Sequence, residues 1–463
     1  MTPQAQLVII IWLPIVFYFF RKFPPREAVI VSFIGGLLFL PQRAGFNLPL
    51  IPDYRGMVAT CYGILIAIAV YDFKRFSSFK PGWIDLPMLI WCISPFLSSM
   101  TNGLGAYDGL NESITQTVTW GFPYLLGRLY LNSLDGLKEL AINIIKGGLI
   151  YVPLVLYEGR MSPQLHNIIY GYYAHSSGIK QAVRLGGYRP MVFMIHGLML
   201  GMWMMVVALI GFWLWRAGTV KKIWGMSMNW LTPLLIFSFI WCRSTGAYGY
   251  FIYALIIFFT AKWVKTSFPL LLLMFLICYY LFVAANGNFA GEEIVAWIAD
   301  NLSPERAQSL EFRFDNEEIL IEHARKQMLF GWGGWGRNRV FGENWQGDII
   351  DTTTTDSLWI IAFGVNGMVG LTSITLTLLL PAASFCWLRY PARTWLNPQV
   401  APAAACAVVL TLYMLDCVLN NMFNPLFPLM SGGLSGLVMK KPEKVRAKIP
   451  KLRVAKRQLV QHR

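Results

Sequence analysis

Charge is what this sequence has least of. Only 14% of its 463 residues are Asp, Glu, Lys or Arg, while 56% are hydrophobic. A soluble domain carries roughly 25% charged residues, so the balance reads as an integral membrane protein. Apolar runs recur along nearly the whole length, which excludes a soluble domain on a single anchor. The first run, Leu7–Phe20, has no basic stretch before it and no small-residue cleavage site after it, so it reads as a retained segment.

Metal and redox motifs are missing too. No C-x-x-C or H-E-x-x-H spacing occurs, and no clear Asp-x-Asp metal site. The seven cysteines, Cys61, Cys92, Cys242, Cys278, Cys386, Cys406 and Cys417, lie in or beside apolar runs. They read as small core residues, with neither a disulfide framework nor a metal centre. A Walker loop and a Ser-His-Asp order are absent, as is any repeat at a fixed period. Acidic residues are outnumbered, 24 against 39 Lys and Arg. The basic excess sits in short loops and in the tail 440–463, beside apolar segments. Basic residues there set topology and bind anionic headgroups, so the charge does not point to nucleic acid.

What is present is a series of membrane-length segments. We expect an all-α polytopic membrane protein of roughly 12–13 spanning helices, from the ~20-residue criterion with short ones allowed. They fall near 5–20, 27–41, 57–71, 83–99, 115–131, 138–157, 190–215, 229–243, 247–263, 267–285, 357–390, 401–419 and 424–439. The basic loops 21–27, 72–80, 215–224 and 262–265 alternate so as to share the cytoplasmic side with the tail. The chain then divides into a membrane part, 1–285, with a smaller outer loop at 158–189; a large outer loop, 286–356; C-terminal spans, 357–439; and the basic tail, 440–463. An outer loop of ~70 residues is usually functional. Its stretch from Ser303 to Gly336 opens on a helix-start signal and places Leu310, Phe314, Ile319, Ile321 and Leu329 among charges, which predicts short amphipathic helices.

Several arginines defy the positive-inside rule. Arg184 and Arg189 stand in "QAVRLGGYRP", Arg243 stands in "FIWCRSTGAYGYF", and Arg313, Arg337 and Arg339 lie in the large loop. A guanidinium grips phosphate bidentately and keeps its charge in a partly dry site. Gathered at the outer headgroup level, these side chains would suit a membrane-presented anion such as a lipid pyrophosphate. Singly, each could instead snorkel or pair with a loop carboxylate. Arg313, flanked by Glu311, Asp315, Glu317 and Glu318, is the readiest to be structural. Asp356 ends the polar stretch "DTTTTD" where an apolar helix begins. It could cap that helix, a task Ser357 could share, or accept a proton from a sugar hydroxyl. Asp416 and Asn420 fall at the outer end of a late segment, where Asp416 is either functional or the partner of an arginine. His196 reads as a packed polar residue one turn inside a helix; His323, Glu158 and Arg160 carry no decisive signal. Trp332 and Trp335 of "GWGGWG" could stack on sugar faces or pack the loop as a lid.

Four stretches together resemble the O-antigen ligase and O-antigen polymerase superfamily of bacterial membrane glycosyltransferases. "RLGGYRPMVFMIHGLMLG" (184–201) is similar to its R-x-x-G-x-x segment, and "CRSTGAYGYFIYAL" (242–255) to its S-R-G-A-like helix start. "FRFDNEEILIEHARKQMLFGWGGWG" (312–336) is similar to the Arg…helix…P-x-x-G-x-G element of its periplasmic loop, without the Pro. "DSLWIIAFGVNGMVGL" (356–371) is similar to its H-N-x-x-L…E-x-G-x-x-G segment. The first third of the chain matches only in hydropathy. The resemblance implies a multi-pass inner-membrane enzyme with its active site facing the periplasm. The donor would be a glycan on undecaprenyl pyrophosphate, and the acceptor lipid A-core or another lipid-linked glycan. Neither cofactor nor metal would be needed. Arg184 or Arg189, and Arg243, would hold the pyrophosphate, with Arg313 as a further candidate. Asp356 falls where ligases carry histidine. That departure favours polymerisation of polysaccharide repeat units, an O-antigen or exopolysaccharide, by single displacement with inversion. Membrane lipids and a chain-length regulator or export proteins would be its other partners. The rivals are ligation to lipid A-core or protein, a transporter or flippase of lipid-linked sugars, and an export scaffold.

Overall fold

The computed structural model describes residues 2–48, 51–175, 182–287, 296, 299–300, 304–344 and 346–443. The chain is an all-α polytopic membrane protein. Its first helices are α1 (Pro3–Lys22), α2 (Pro25–Phe39), α3 (Gly56–Tyr71) and α4 (Leu86–Thr101). Next come α5 (Ala106–Gln116) and α6 (Phe122–Tyr130), joined through a π-helical turn at Thr117–Gly121, then α7 (Leu134–Met161) and the short α8 (Leu165–Tyr170). Three further helices, α9 (Gly197–Ala217), α10 (Met228–Trp241) and α11 (Thr245–Trp263), lead to α12 (Phe268–Ala285). The large loop contributes α13 (Pro304–Arg325), and the chain ends in α14 (Leu358–Ser384), α15 (Ala401–Leu419) and α16 (Leu426–Met439). Among the described residues, seven helical segments are long and apolar enough to cross a bilayer, and three shorter apolar ones accompany them.

Each expected span overlaps one of these helices, except 115–131, which takes in the end of α5, the π-helical turn and α6. Proline explains several starts: α1, α2, α4, α6, α12 and α15 carry one in their first two positions. There the missing N–H would have had no partner anyway. The only strands described are two-stranded antiparallel hairpins in the loops. They are β1–β2 (Gly45–Phe46 with Tyr54–Arg55), β3–β4 (Val183–Arg184 with Gly187–Tyr188), β5–β6 (Lys222–Ile223 with Met226–Ser227) and β7–β8 (Phe341–Glu343 with Ile349–Asp351).

The helices pack through small residues, as expected where lipid supplies no hydrophobic drive between them. Side chains at Gly432 and Gly433 of α16 would overlap the Tyr124 carbonyl oxygen and the Leu131 side chain, so α6 and α16 touch backbone to backbone. Three of the basic segments, 21–27, 72–80 and the start of the tail, reach the same stretch of chain around 129–139. Arg26 pairs with Glu139 at 3.5 Å, Arg75 donates to the Leu129 carbonyl, and Lys440 donates to Asn132. A buried pair beside this stretch, Arg128 Nε to Asp85 Oδ1 at 2.7 Å, is completed by the Tyr124 hydroxyl. Extra hydrogen bonds of that kind offset the cost of burying the two charges.

Four details differ from the sequence reading. The span expected from 190 starts as a helix only at Gly197, and residues 189–196 form an irregular approach to it. His196 therefore caps α9 rather than lying inside it. A helix begins at Ala106, ahead of the span expected from 115, and runs to Gln116. The inward face of α13 is Leu320, Ile321 and Ala324, whereas Ile319 and Leu329 are exposed. Ser303, the side chain of Leu310 and the tail beyond 443 lie outside the described residues.

Candidate functional site

The end of the bundle opposite the basic loops carries a cleft of about 580 Å³. Its walls include Arg184, Arg189, Arg313, Asp356, His175 and His196, with Thr354 and Asn420 completing the polar lining. Residues far apart in sequence are brought together because α9, α14 and α15 each end there.

Arg184 is placed by the β3–β4 hairpin. The two turn residues, Leu185 and Gly186, have φ of 47° and 71°. Positive φ at both central positions matches the right-handed strand twist, and Gly186 supplies one of them without steric cost. Arg184 stands beside that turn, is exposed, and has no ion-pair partner among the described residues. Arg189 closes the hairpin through its backbone N–H to Ala182 O at 2.6 Å. Its side chain is buried; Nη2 reaches Arg243 O at 3.4 Å, and Nε has no partner among the described residues. Burial, followed by the neighbouring Arg184 charge, lowers the pKa of Arg189. An unpaired buried guanidinium is costly, and an anion in the cleft would relieve it.

Arg313 arrives on α13. Despite its four acidic neighbours in sequence, no carboxylate forms an ion pair with it among the described residues. Its Nη1 donates to Leu419 O at 3.3 Å, at the end of α15. The chain before α14 is clamped to α13 by Asn316, which accepts from Thr354 N at 2.9 Å and donates back to Thr354 O. That clamp delivers Asp356 to the cleft. Asp356 is exposed and does not cap α14; the residue at the cap is Ser357, whose hydroxyl donates to Glu317 at 3.0 Å. Three guanidiniums against one carboxylate leave the cleft with a surplus of positive charge.

Arg243 is placed differently from its expected role. It follows α10 in a left-handed conformation, φ 50°, and its Nη1 donates to Tyr188 O at 2.6 Å and to Gly159 O at 3.4 Å. The guanidinium also lies 5.3 Å from the Trp241 ring. Protein carbonyls and an aromatic face thus meet its charge. It buttresses the hairpin carrying Arg184, while its own carbonyl holds Arg189. Asp416 is likewise removed from the cleft lining: it is buried and accepts from Asn420 Nδ2 at 2.8 Å. Trp332 and Trp335 line a different cleft, of about 570 Å³, together with His323, Arg337 and Arg339. Trp332 stacks on His323 at 4.5 Å, and Arg339 is neutralised by Asp351 at 2.7 Å.

Two residues to which the sequence assigned no role, Glu158 and Glu317, support the site. Glu158 is fully buried; Oε2 accepts from Met191 N and Val192 N at 2.9 and 2.6 Å, and Oε1 accepts from Leu165 N at 2.8 Å. It fixes the chain just beyond Arg189. Glu317 lies beside Arg313 and Asp356 in a small side cavity, and burial raises its pKa. Its position four residues after Arg313 on a helix was the available signal.

His196 has its protonation set by geometry. Nδ1 accepts from Leu198 N at 3.0 Å, so the neutral ring carries its proton on Nε2. Burial first, then the charges of Arg189, His175 and Arg184, lower its pKa to about 4. Between about 4 and the unperturbed value of roughly 6.5 the unfolded chain binds more protons, so this group's contribution to stability rises with pH across that window. Thermal unfolding should show the native protein losing stability from about pH 6.5 down toward 4, with a shallower loss in His196→Asn.

No protein-family model matches the chain, and a search of curated proteins finds no match.

Proposed function

We propose that the arginine cleft binds the diphosphate of a polyprenyl-linked glycan at the periplasmic surface of a bacterial inner membrane, and that the chain transfers the glycan to a hydroxyl acceptor. The observation that carries this reading is the convergence of Arg184, Arg189 and Arg313 on one cleft without ion-paired carboxylates. A volume of about 580 Å³ suits a diphosphate with its first sugar, within the roughly 300–1,000 Å³ of small-molecule sites. Guanidiniums and the Nε2–H of His196 stabilise the departing diphosphate, which is the charge that grows in the transition state. Asp356 takes the proton from the acceptor hydroxyl as that oxygen attacks the anomeric carbon. The lipid diphosphate leaves in the same displacement, so the configuration inverts. Arg243 and Glu158 act by positioning.

Polymerisation of repeat units is the preferred reaction, with ligation to lipid A-core or protein as its alternative. The test is the surface glycan of a strain lacking this coding region. Single repeat units on the normal acceptor support polymerisation; complete loss of glycan from the acceptor supports ligation; an unchanged glycan defeats both. The transporter reading has one observation in its favour, the break in α14 at Gly367, with φ 63° and ψ −162° inside a membrane segment. That break is filled by the chain itself: Gly364 O and Val365 O accept from Trp332 N and Gly333 N, at 2.8 and 3.0 Å.

A further inference from the structure

The same break in α14 exposes a second polar site that the glycosyl-transfer reading does not use. Where α14 interrupts, the segment Met328–Gly333 inserts and takes up the freed backbone groups. Met368 N and Val369 N donate to Met328 O and Leu329 O, while the Ser98 hydroxyl of α4 donates to Val365 O at 2.7 Å. The backbone is thus satisfied, as a membrane segment requires. One side-chain atom at the break is not. Asn366 is 3% exposed, and its Oδ1 has no hydrogen-bond partner among the described residues.

Asn366 lines a cavity of about 40 Å³ between α4, α5 and the loop Gly333–Trp335. Asp108 and Glu112, one turn apart on α5, line it too. Asp108 is half-buried, while Glu112 stands at the open edge beneath Gly334. Neither carboxylate is ion-paired among the described residues, and no Lys or Arg lines the cavity. Gln116 also faces it; its amide nitrogen donates to Trp91 O at 2.7 Å, which leaves its oxygen as the remaining polar group. Two carboxylates and the side-chain amides of Asn366 and Gln116, with no lysine or arginine among the lining residues, supply oxygen donors. A buried amide oxygen without a donor is costly, and like charges one helical turn apart repel. A hard cation removes both costs at once.

We propose that Asp108, Glu112 and Asn366 form a site for a hard divalent cation of the Ca2+ or Mg2+ class, which staples α5 to the break in α14. The charge balances: two carboxylates against one divalent ion. A cavity of about 40 Å³ holds the ion with a water or two, since one water needs roughly 10–15 Å³. The site also fixes the loop that carries Trp332 and Trp335, but it stands apart from the arginine cleft and owes nothing to the reaction assigned there.

The test uses the full chain in detergent, stripped with a chelator, and titrated calorimetrically with Ca2+, Mg2+ or Na+ while tryptophan emission follows thermal unfolding. The native protein should bind Ca2+ or Mg2+ saturably at one site and melt at higher temperature with it. Glu112→Gln and Asn366→Ala should weaken binding at least tenfold, whereas Asn366→Asp, which adds a third carboxylate, should tighten it at least tenfold. Asp348→Asn, in the exposed β7–β8 loop, should bind as the native chain does. Should Glu112→Gln fail to fold, Asn366→Asp decides. Absence of saturable binding, stabilisation by Na+ alone, or equal affinity in native, Glu112→Gln and Asn366→Asp proteins would overturn the proposal.

Discussion

Replacing Arg189 by Ala should cost glycosyl transfer about 10²–10³-fold, the usual consequence of removing one donor from a preorganised anion site. The size of the effect follows from its surroundings. Arg189 is the buried member of the cluster, its Nε has no protein partner among the described residues, and it sits beside Arg184. In the free protein those features are unfavourable; with a diphosphate bound they become the strongest contact in the cleft. Arg189→Lys should recover only part of the loss, because an ammonium cannot offer the planar, two-pronged contact of a guanidinium. Arg243→Ala should behave differently. Its side chain holds the hairpin through Tyr188 O and Gly159 O, so removing it should loosen Arg184 and raise KM together with lower kcat. In vitro transfer from a lipid-diphosphate donor, with KM and kcat resolved, separates the two. Native rates in Arg189→Ala would remove the anion site from the mechanism.

Asp356→Asn should lower kcat by about 10²–10⁴-fold while leaving donor affinity nearly unchanged, the signature of a lost general base. Asp356 is suited to that measurement because it carries no structural duty that Asn would disturb. It does not cap α14, and Thr354 and Ser357 on either side are anchored independently to Asn316 and Glu317. Glu317→Gln is the companion experiment. A larger loss there than in Asp356→Asn would transfer the role of base to Glu317, which shares the small cavity with Arg313 and Asp356.

Much of this architecture was legible because the physics behind it is local. Long apolar runs gave the helices, and prolines marked several of their starts. Three of the basic segments gather around one stretch of chain, through the contacts of Arg26, Arg75 and Lys440 with Glu139, Leu129 and Asn132. That Arg184 and Arg189 stand together was readable, since an arginine at the non-basic end of a membrane protein needs a reason; Arg313, which the sequence marked as the readiest to be structural, joins them only through the fold. What escaped depends on contacts across the fold. Arg243 and Arg189 look alike in sequence, both preceding a helix, yet the first meets backbone carbonyls and the second faces the cleft. Nothing local distinguishes them, because Gly159 and Tyr188 lie 84 and 55 residues away from Arg243. Glu158 escaped for the same reason: its three N–H donors come from the turn into α8 and from the approach to α9. The start of α9 was misplaced because "PMVFMIHG" is as apolar as a helix, while Glu158 holds its backbone in an irregular path. The break at Gly367 escaped because Gly364 and Gly370 flank it in "GVNGMVG", so no single glycine marks the position.

The central claim is that the cleft of Arg184, Arg189 and Arg313 is a diphosphate site. It is tested most directly by equilibrium binding of farnesyl diphosphate to the purified chain in detergent, with farnesol as the uncharged control. The account predicts saturable binding of the diphosphate alone, weakened at least 30-fold in the Arg184→Ala, Arg189→Ala, Arg313→Ala triple variant, as expected when charge-assisted contacts of 2 kcal/mol or more are lost. Equal affinity of native and triple-variant protein, or equal binding of farnesol, would contradict it.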